Sequence, residues 1–245
     1  MTRLSRTFGY QSVEENEREQ RIRRVFEAVA ARYDLMNDLM SMGIHRLWKR
    51  TLVRLAAPRN GQFIVDLAGG TGDVAALMAA PGRRVTVCDP SLPMMDVGRA
   101  RGHVGVEWLE GTGEAIPLST ASVDTLTIAF GIRNVTRLED ALGEILRVLK
   151  PGGRFLCLEF SRPYAPVRPF YNLFSFTVIP RLGAWIAQAP EAYSYLVESI
   201  RRFPDQQAFQ ALIEQAGFEG VHYRNLSLGI ACIHVGTRPP TRGAS

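Results

Sequence analysis

The sequence predicts an α/β fold: a doubly wound, mainly parallel sheet of seven strands, with an N-terminal helical lid before it and a terminal antiparallel hairpin. Short apolar runs alternate with helical patterns between residues 63 and 160, which is typical of parallel strands joined by helices. Two strand patterns close together, at residues 223–228 and 231–236, predict the hairpin. The chain has 245 residues, 46% of them hydrophobic, which suits a single domain over residues 21–238.

Two helical segments precede the sheet. Residues 1–20 are polar, and we expect them to be loosely ordered. Apolar residues at helical spacing begin after Gln20, as in an amphipathic helix. A second helix stops before Pro58, because proline disfavours helical geometry in the residue before it. Residues 21–57 are therefore predicted to form a helical lid over the ligand site.

The strands of the sheet then follow one another. The first apolar run begins at Phe63 and leads through a glycine-rich loop into a helix that continues to Met78. Further strands are predicted at residues 84–89, 104–109, 124–130 and 154–159. Thr136 and Glu139 have the spacing of a capping box and predict the start of the helix before the last of these strands. Residues 163–203, rich in aromatic residues and prolines, interrupt the alternation, and residues 239–245 are predicted to be a disordered tail.

Composition argues against several classes of protein. The formal net charge of +5 permits contact with nucleic acid or anionic lipid but requires neither. Three cysteines lie far apart in apolar runs, which indicates buried thiols in a reducing compartment and no zinc site. The amino terminus lacks the apolar core of a signal peptide, and no apolar run approaches the roughly 20 residues that cross a bilayer. We expect an intracellular protein that is soluble or associated with a surface, and no metal.

The glycine-rich loop predicts a nucleotide-type ligand. Gly70 and its neighbours can bring the backbone close to a ligand, and the loop opens a helix at the carboxyl end of a strand, where small molecules bind in such sheets. The run Gly70 to Ala75 also fits a dinucleotide pattern, and Asp89, at the end of the second strand, suits a ribose with either ligand. Asp66 before the loop, the loop at residues 111–118 and the helix–strand junction at 149–155 favour S-adenosylmethionine, while a dinucleotide stays open.

Three motifs carry a closer resemblance. They are Tyr33-Asp34-x-Met36-Asn37-x-x-Met40-Ser41-x-x-x-His45-x-x-Trp48, the run from Arg147 to Ser161, and Phe130-Gly131-Ile132-Arg133-Asn134-Val135. On these motifs the chain resembles the ubiquinone/menaquinone biosynthesis C-methyltransferases, which have a Rossmann-like class I methyltransferase fold, over nearly its whole length. The resemblance implies methyl transfer from S-adenosylmethionine to a ring carbon of a polyprenyl quinol. The substrate would be a demethylmenaquinol, a 2-methoxy-6-polyprenyl-1,4-benzoquinol, or both.

The resemblance also implies where the cofactor binds. The cofactor positions of the family carry over to Thr71, Asp89, Thr112, Gly113 and Ala129, and the loop pattern adds Asp66 and Gly70 to the expected cofactor-binding residues. Two of them depart from the usual pattern of the family, which commonly has Asp or Asn in place of Thr112 and often Ser in place of Ala129. A Thr hydroxyl is shorter than a carboxylate or amide, so backbone groups are expected to contact the adenine here.

Four residues are predicted to act in the reaction. The ring carbon of a quinol becomes nucleophilic when a neighbouring hydroxyl loses its proton, so the site must stabilise a phenolate. Arg133 suits that task but is a poor base, and Asn134 stands beside it. His45 titrates near neutrality and is the candidate acid or base, while Tyr33 belongs to the lid. The alternatives are a surface ion pair for Arg133, a turn for Asn134 and a structural role for His45.

The partners follow from the implied substrate. Prenyl quinols reside in the bilayer, so residues 163–203 are expected to form a substrate cap that faces anionic lipid through aromatic residues and arginines. The basic residues concerned are Arg168, Arg181, Arg201 and Arg202. An insertion that merely covers the core is the alternative. We expect a cytoplasmic protein, peripheral to the inner face of the membrane or part of a quinone-biosynthesis complex, with no nucleic-acid partner.

Two other functions stay open. A nicotinamide-dependent reductase could use the same glycine loop, although the sequence shows no Tyr-x-x-x-Lys set for hydride transfer. A non-catalytic scaffold of a quinone-biosynthesis complex could keep the fold without turnover, and the departures at Thr112 and Ala129 leave room for it.

Overall fold

The computed structural model describes residues 6–30, 37–38, 41–173 and 190–240. The chain begins with a short hairpin, β1 (Thr7–Phe8) and β2 (Gln11–Ser12), followed by helix α1 (Glu15–Val29). Over residues 6–20 this differs from the loosely ordered segment that the sequence predicts. The physical reason is long-range: the Phe8 ring stacks on Tyr195 at 4.4 Å between centroids, and the side chain of Arg18 is buried.

Seven strands form the main sheet. They are β3 (Phe63–Leu67), β4 (Arg84–Asp89), β5 (Val106–Glu110), β6 (Val123–Ala129), β7 (Leu149–Phe160), β8 (Glu219–Leu226) and β9 (Ala231–Thr237). Their order is β5-β4-β3-β6-β7-β9-β8. The pairs from β5 to β7 are parallel, whereas β9 is antiparallel to both β7 and β8. The predicted doubly wound sheet with a terminal antiparallel hairpin is confirmed.

Helices cover both faces of this sheet. They are α2 (His45–Ala56), α3 (Asp73–Met78), α4 (Leu92–Ala100), α5 (Leu138–Val148), α6 (Arg168–Leu173), α7 (Pro190–Arg202) and α8 (Gln206–Gln215). Strand residues alternate between the faces, so Ile64 packs with Trp48 and Leu52 of α2 while Val65 packs on the side of α5 and α8. Among the described residues of the predicted lid, α2 is thus a core helix and differs from the prediction.

The predicted capping box is wrong. Helix α5 begins at Leu138, and its N-cap residue Arg137 makes no side-chain capping bond. The hydroxyl of Thr136 instead accepts a hydrogen bond from Arg18 at 3.1 Å and so supplies the buried guanidinium with an acceptor. Of the predicted tail, residues 241–245 lie outside the described part of the chain.

Candidate active site

A cavity of about 300 Å³ opens at the carboxyl ends of the central strands. The order of the sheet reverses between β3 and β6, and in open α/β sheets the crevice at such a reversal binds ligands. The lining residues at the strand ends include Gly70, Asp89, Ser91, Met94, Gly111, Thr112, Gly113, Ala115, Phe130, Gly131, Asn134 and Thr136. Glu19, Ile22, Arg23 and Phe26 of α1 line it as well, so α1 covers this cavity.

The glycine loop after β3 packs tightly against its surroundings. Gly70 and Gly72 have positive φ angles of 55° and 79°, which favour glycine. A Cβ atom on Gly72 would lie 2.7 Å from the indole of Trp108. Of the predicted cofactor residues in this loop, Gly70 lines the cavity, whereas Thr71 is buried and does not.

The carboxylate of Asp89 is fixed at the end of β4, on the wall of the cavity. Its Oδ2 accepts a hydrogen bond from the Gly70 N–H and its Oδ1 accepts one from the Ser91 N–H, each at 2.8 Å. Burial raises the pKa of Asp89 to about 6, and these two backbone donors oppose the rise. The remaining lone pairs of both oxygens can accept from the two hydroxyls of a ribose.

Asp66 lies beneath the glycine loop and not on the cavity wall. Its Oδ1 accepts a hydrogen bond from the Thr127 hydroxyl at 2.8 Å, whereas its buried Oδ2 has no hydrogen-bond partner among the described residues. A Cβ atom on Gly69 would come within 2.8 Å of that same Oδ2. Burial raises the pKa of Asp66 to about 7, against the opposing effect of the Thr127 hydroxyl. The charge of Lys49 and the backbone N–H of Ala75 also oppose the rise.

The loop after β5 and the loop after β6 are locked together. Gly113 packs so closely that an added Cβ atom would lie 2.9 Å from Val135. Oε1 of Glu114 accepts hydrogen bonds from the Thr136 N–H at 2.6 Å and the Arg137 N–H at 3.1 Å. Thr112, half-buried on the cavity wall, pairs with Ala115 in an isolated bridge. These contacts hold Thr112 and Gly113 at the cavity.

Two strained backbone positions lie where β3 and β6 end. Ala68 and Phe130 both have positive φ angles, 49° and 60°, although neither is glycine. Gly131 directly follows Phe130, and a Cβ atom there would be only 2.6 Å from the Cβ atom of Ala68. Clustered strain of this kind persists only where surrounding structure enforces it, often at functional sites. Ala129, the last residue of β6, is half-buried and does not line the cavity.

Arg133 forms a buried ion pair behind the cavity wall. Its Nη1 donates to Oε1 of Glu159 at 2.7 Å and to the carbonyl of Phe130 at 2.6 Å. Both side chains of the pair are at most 4% exposed. Arg133 therefore forms an ion pair, as in the alternative given above, but the pair is buried and not at the surface. Burial raises the pKa of Glu159, and Arg133 opposes the rise. Sequence reasoning missed Glu159, although an acid in an apolar strand signals a buried cation.

Asn134 does line the cavity, and two buried residues orient it. Its Oδ1 accepts a hydrogen bond from the hydroxyl of Tyr195 at 3.0 Å, and its carbonyl accepts one from Arg18 at 3.0 Å. Tyr195 is 3% exposed and Arg18 is 2% exposed. Both were missed at the level of sequence. For Tyr195 the only signal was its place in the aromatic segment; for Arg18 the sequence offers none.

The structure does not bring His45, another predicted catalytic residue, to the cavity. His45 is buried at the start of α2, where its Nε2 lies 2.8 Å from Oδ1 of Asp38. Burial lowers the pKa of His45, and the contact with Asp38 opposes this. The imidazole is not part of the cavity wall. Tyr33 and Asp34 lie outside the described residues.

Known proteins share the sequence and the fold of this chain. The chain is 76% identical to the ubiquinone/menaquinone biosynthesis C-methyltransferase UbiE of Rubrivivax gelatinosus over 97% of its own length and 94% of that protein. An S-adenosylmethionine-dependent methyltransferase from Thermotoga maritima has the same fold, with a TM-score of 0.64 and 22% identity over 88% of this chain and 99% of that one.

The [4+2]-cyclase SpnF also shares the fold, with a TM-score of 0.65 and 13% identity over 91% of this chain and 96% of that one. The fold alone therefore does not fix the reaction. The family model that matches residues 14–238 is the ubiE/COQ5 methyltransferase family. With that match and the 76% identity over nearly its whole length, the chain belongs to the ubiE/COQ5 methyltransferase family.

Proposed function

We propose that the protein transfers a methyl group from S-adenosylmethionine to a ring carbon of a polyprenyl quinol in menaquinone or ubiquinone biosynthesis. Its relative from Rubrivivax gelatinosus is named a ubiquinone/menaquinone biosynthesis C-methyltransferase. The observation that carries the proposal is the cavity at the reversal of strand order, where the Asp89 carboxylate, the Gly70 loop and the 111–115 loop converge. Both ring systems, demethylmenaquinol and 2-methoxy-6-polyprenyl-1,4-benzoquinol, are candidate substrates.

The residues present fit the proposed cofactor. Asp89 would hold the ribose hydroxyls, while Gly113 and the backbone near Thr112 would face the adenine between apolar walls that include Met94. The unpaired Oδ2 of Asp66 lies under the glycine loop and would favour the positively charged methionine end. When bound, S-adenosylmethionine supplies an electrophilic methyl group on a sulfonium. Ala129 and Thr71 do not line the cavity. They would contribute to cofactor binding only by holding the neighbouring backbone in place.

The loop after β6 would act on the quinol. Asn134 lines the cavity, and its amide N–H can donate to a quinol oxygen as the negative charge develops there. Glu159 largely compensates the charge of the buried Arg133, so Arg133 would act on that phenolate mainly by holding the carbonyl of Phe130 in place. The acid/base role of His45 and the role of Tyr33 stay predictions. The contact between His45 and Asp38 favours a positioning role for the imidazole.

We further propose that one exposed apolar surface contacts anionic lipid. The surface consists of Met42, Leu47, Tyr164 and Leu228, exposed by 73%, 55%, 49% and 60%. Two hydrogen bonds link the segments that carry Leu47, Tyr164 and Leu228: the indole of Trp48 donates to Ser227, and the Tyr164 N–H donates to the carbonyl of Leu228. Arg50 and Arg168 lie exposed nearby in sequence, and apolar side chains flanked by arginines suit a lipid interface.

This lipid-facing surface refines the prediction made for residues 163–203. Tyr195 and Phe203 of that segment are buried, as in the alternative of a cover for the core, and Arg181 lies outside the described residues. Within the described part of the chain, no helix is long and apolar enough to cross a membrane. Co-sedimentation with vesicles of anionic lipid should weaken several-fold in a Leu47→Ser/Leu228→Ser variant. Unchanged binding in that variant, with Leu77→Ser as the exposed apolar control, would refute this surface.

Two titrations and one assay test the function. Isothermal titration should show binding of S-adenosylhomocysteine and none of NADH, whereas tight binding of NADH alone would establish the reductase alternative. Incubation with a methyl-labelled donor and each of the two quinols should then label at least one ring. Cofactor binding without label in either quinol would favour the non-catalytic scaffold.

A further inference from the structure

Arg18 has an unusual position for an arginine on a solvent-facing helix. It is 2% exposed and lies among the largest fully buried side chains of the described residues. Its guanidinium donates to carbonyl and hydroxyl oxygens, which carry no formal charge. Burying a cation against neutral acceptors costs free energy, and burial correspondingly lowers the pKa of Arg18. A residue that only stabilised α1 could stay at the surface, as Arg21 does with Glu17.

The acceptors of Arg18 belong to two separate parts of the chain. Nε donates to the carbonyl of Thr7 in the hairpin at 2.9 Å. Nη1 donates to the carbonyl of Asn134 at 3.0 Å and to the hydroxyl of Thr136 at 3.1 Å, and Nη2 donates to the carbonyl of Arg133 at 3.2 Å. One planar side chain thus joins the amino-terminal hairpin and α1 to the loop that follows β6.

The same loop and the same helix both adjoin the cavity. Asn134 and Thr136 line it from the side of the loop, and Ile22 and Phe26 line it from α1, one and two turns after Arg18. A second contact, between Arg137 and Glu15 at 3.6 Å, also ties the start of α1 to this loop. The helix that covers the cavity is therefore anchored to the residues that the proposed function assigns to the quinol.

We propose that Arg18 is a positioning residue that couples the closure of α1 over the cofactor to the placement of the 133–136 backbone, and so to the direction of the Asn134 side chain. This inference rests on the proposed function, since it assigns Arg18 to the methyl-transfer step through Asn134. The guanidinium fork suits the task because it holds several oxygens in one plane. A lysine has a single ammonium and cannot span the carbonyls of residues 7, 133 and 134 together.

The test compares Arg18→Met and Arg18→Lys with Arg24→Met, which removes an exposed arginine from the same helix. The rate constant kcat for quinol methylation should fall about 100-fold in Arg18→Met, since small misplacements of reacting groups have effects of that size. The fall should be smaller in Arg18→Lys and absent in Arg24→Met. KM for the quinol and the affinity for S-adenosylhomocysteine should change much less than kcat.

Hydrogen–deuterium exchange supplies the second readout. In the wild type, S-adenosylhomocysteine should slow exchange in residues 66–73, in residues 111–115 and in α1. In Arg18→Met, the first two segments should still be protected while α1 is not. A folded Arg18→Met protein with the kcat of Arg24→Met and with α1 protected would overturn the inference. If Arg18→Met does not fold, wild-type kcat and α1 protection in Arg18→Lys would overturn it equally.

The failure of the proposed function would look different. Wild-type protein that shows no protection in any segment with S-adenosylhomocysteine would overturn the cofactor assignment, and this inference with it. Loss of protection confined to α1 in the Arg18 variants supports the coupling.

Discussion

The floor and the cover of the cavity are built in different ways. The floor consists of the glycine loop after β3, Asp89 at the end of β4 and the loop after β5, and its contacts run between neighbouring strand ends, such as Gly70 N–H to Asp89 at 2.8 Å. The cover consists of α1 with its hairpin and the loop after β6. Its contacts are side-chain bonds between distant residues, such as Arg18 with Asn134 and Tyr195 with Asn134.

This difference suggests that the floor and the cover of the cavity have separate roles. A floor made of adjacent loops is fixed by the sheet itself and suits the common part of the reaction, the cofactor. A cover joined to the sheet through side-chain bonds between distant residues suits the part that differs between enzymes of this fold, the acceptor. Changes in the floor should therefore act on cofactor affinity, and changes in the cover should act on turnover.

The largest effect is expected from the floor at Asp89. In Asp89→Ala, the affinity for S-adenosylhomocysteine should fall by about 100-fold or more, because hydrogen bonds to a charged group contribute roughly 1.5–3 kcal/mol each and each 1.4 kcal/mol is about a factor of ten. Isothermal titration measures this directly. Glu110→Ala, an exposed acid at the end of the next strand, is the matched control. Equal affinities in the two variants would show that Asp89 does not hold the ligand.

A change at Asn134, in the cover, should lower turnover and leave the affinity for the cofactor nearly unchanged. In Asn134→Ala, kcat for quinol methylation should fall about 100-fold, the size expected for the loss of one donor in a preorganised site, while the affinity for S-adenosylhomocysteine stays within about threefold. Steady-state kinetics with a labelled methyl donor, together with titration of the same preparation, measure both. A variant that loses affinity but keeps kcat would reverse the assignment of floor and cover.

The same division explains what the sequence could predict. Asp89 and Gly70 were predictable because an acid at a strand end and a glycine after a strand are local patterns with a physical cause. Arg18 was not, since Arg18 and Arg21 stand in the same charged run and look alike. One is buried against the loop after β6, and the other has 35% of its side chain exposed in an ion pair.

Thr136 is another residue whose role depends on a partner far away in sequence. Its spacing to Glu139 satisfies a local rule for helix starts, yet its hydroxyl serves Arg18, which lies far away in sequence. Glu159 and Tyr195 likewise act through partners on other elements, Arg133 and Asn134. The cover is held together by pairs of residues that lie far apart in sequence. Local sequence patterns do not predict such pairs.

The boundary between floor and cover can be tested at Gly131. In Gly131→Ala, the new Cβ atom would lie 2.6 Å from the Cβ atom of Ala68, and overpacking of this kind costs about 1–3 kcal/mol. Thermal unfolding should show the loss, and Ala68→Gly in the same chain should recover part of it. Gly143→Ala is the control, because a Cβ atom there meets no atom within 4 Å and alanine favours its helix. Destabilisation that Ala68→Gly does not relieve would mean that the strand ends are not in close contact.

The smallest effect concerns pH and the buried carboxyl group of Asp66. Burial raises its pKa from 3.8 to about 7, so the folded protein holds a proton that the unfolded chain releases, and this contribution to stability is lost as pH rises from about 4 through 7. A ligand that carries a positive charge favours the ionised carboxylate, so its affinity should rise within about tenfold as pH increases from 6 to 8. Asp89, whose pKa is raised to about 6, titrates in the lower part of that window. Asp66→Asn separates the two: it should reduce the rise between pH 6 and 8 in titrations with S-adenosylmethionine. An unreduced rise in this variant would place the titrating group outside Asp66.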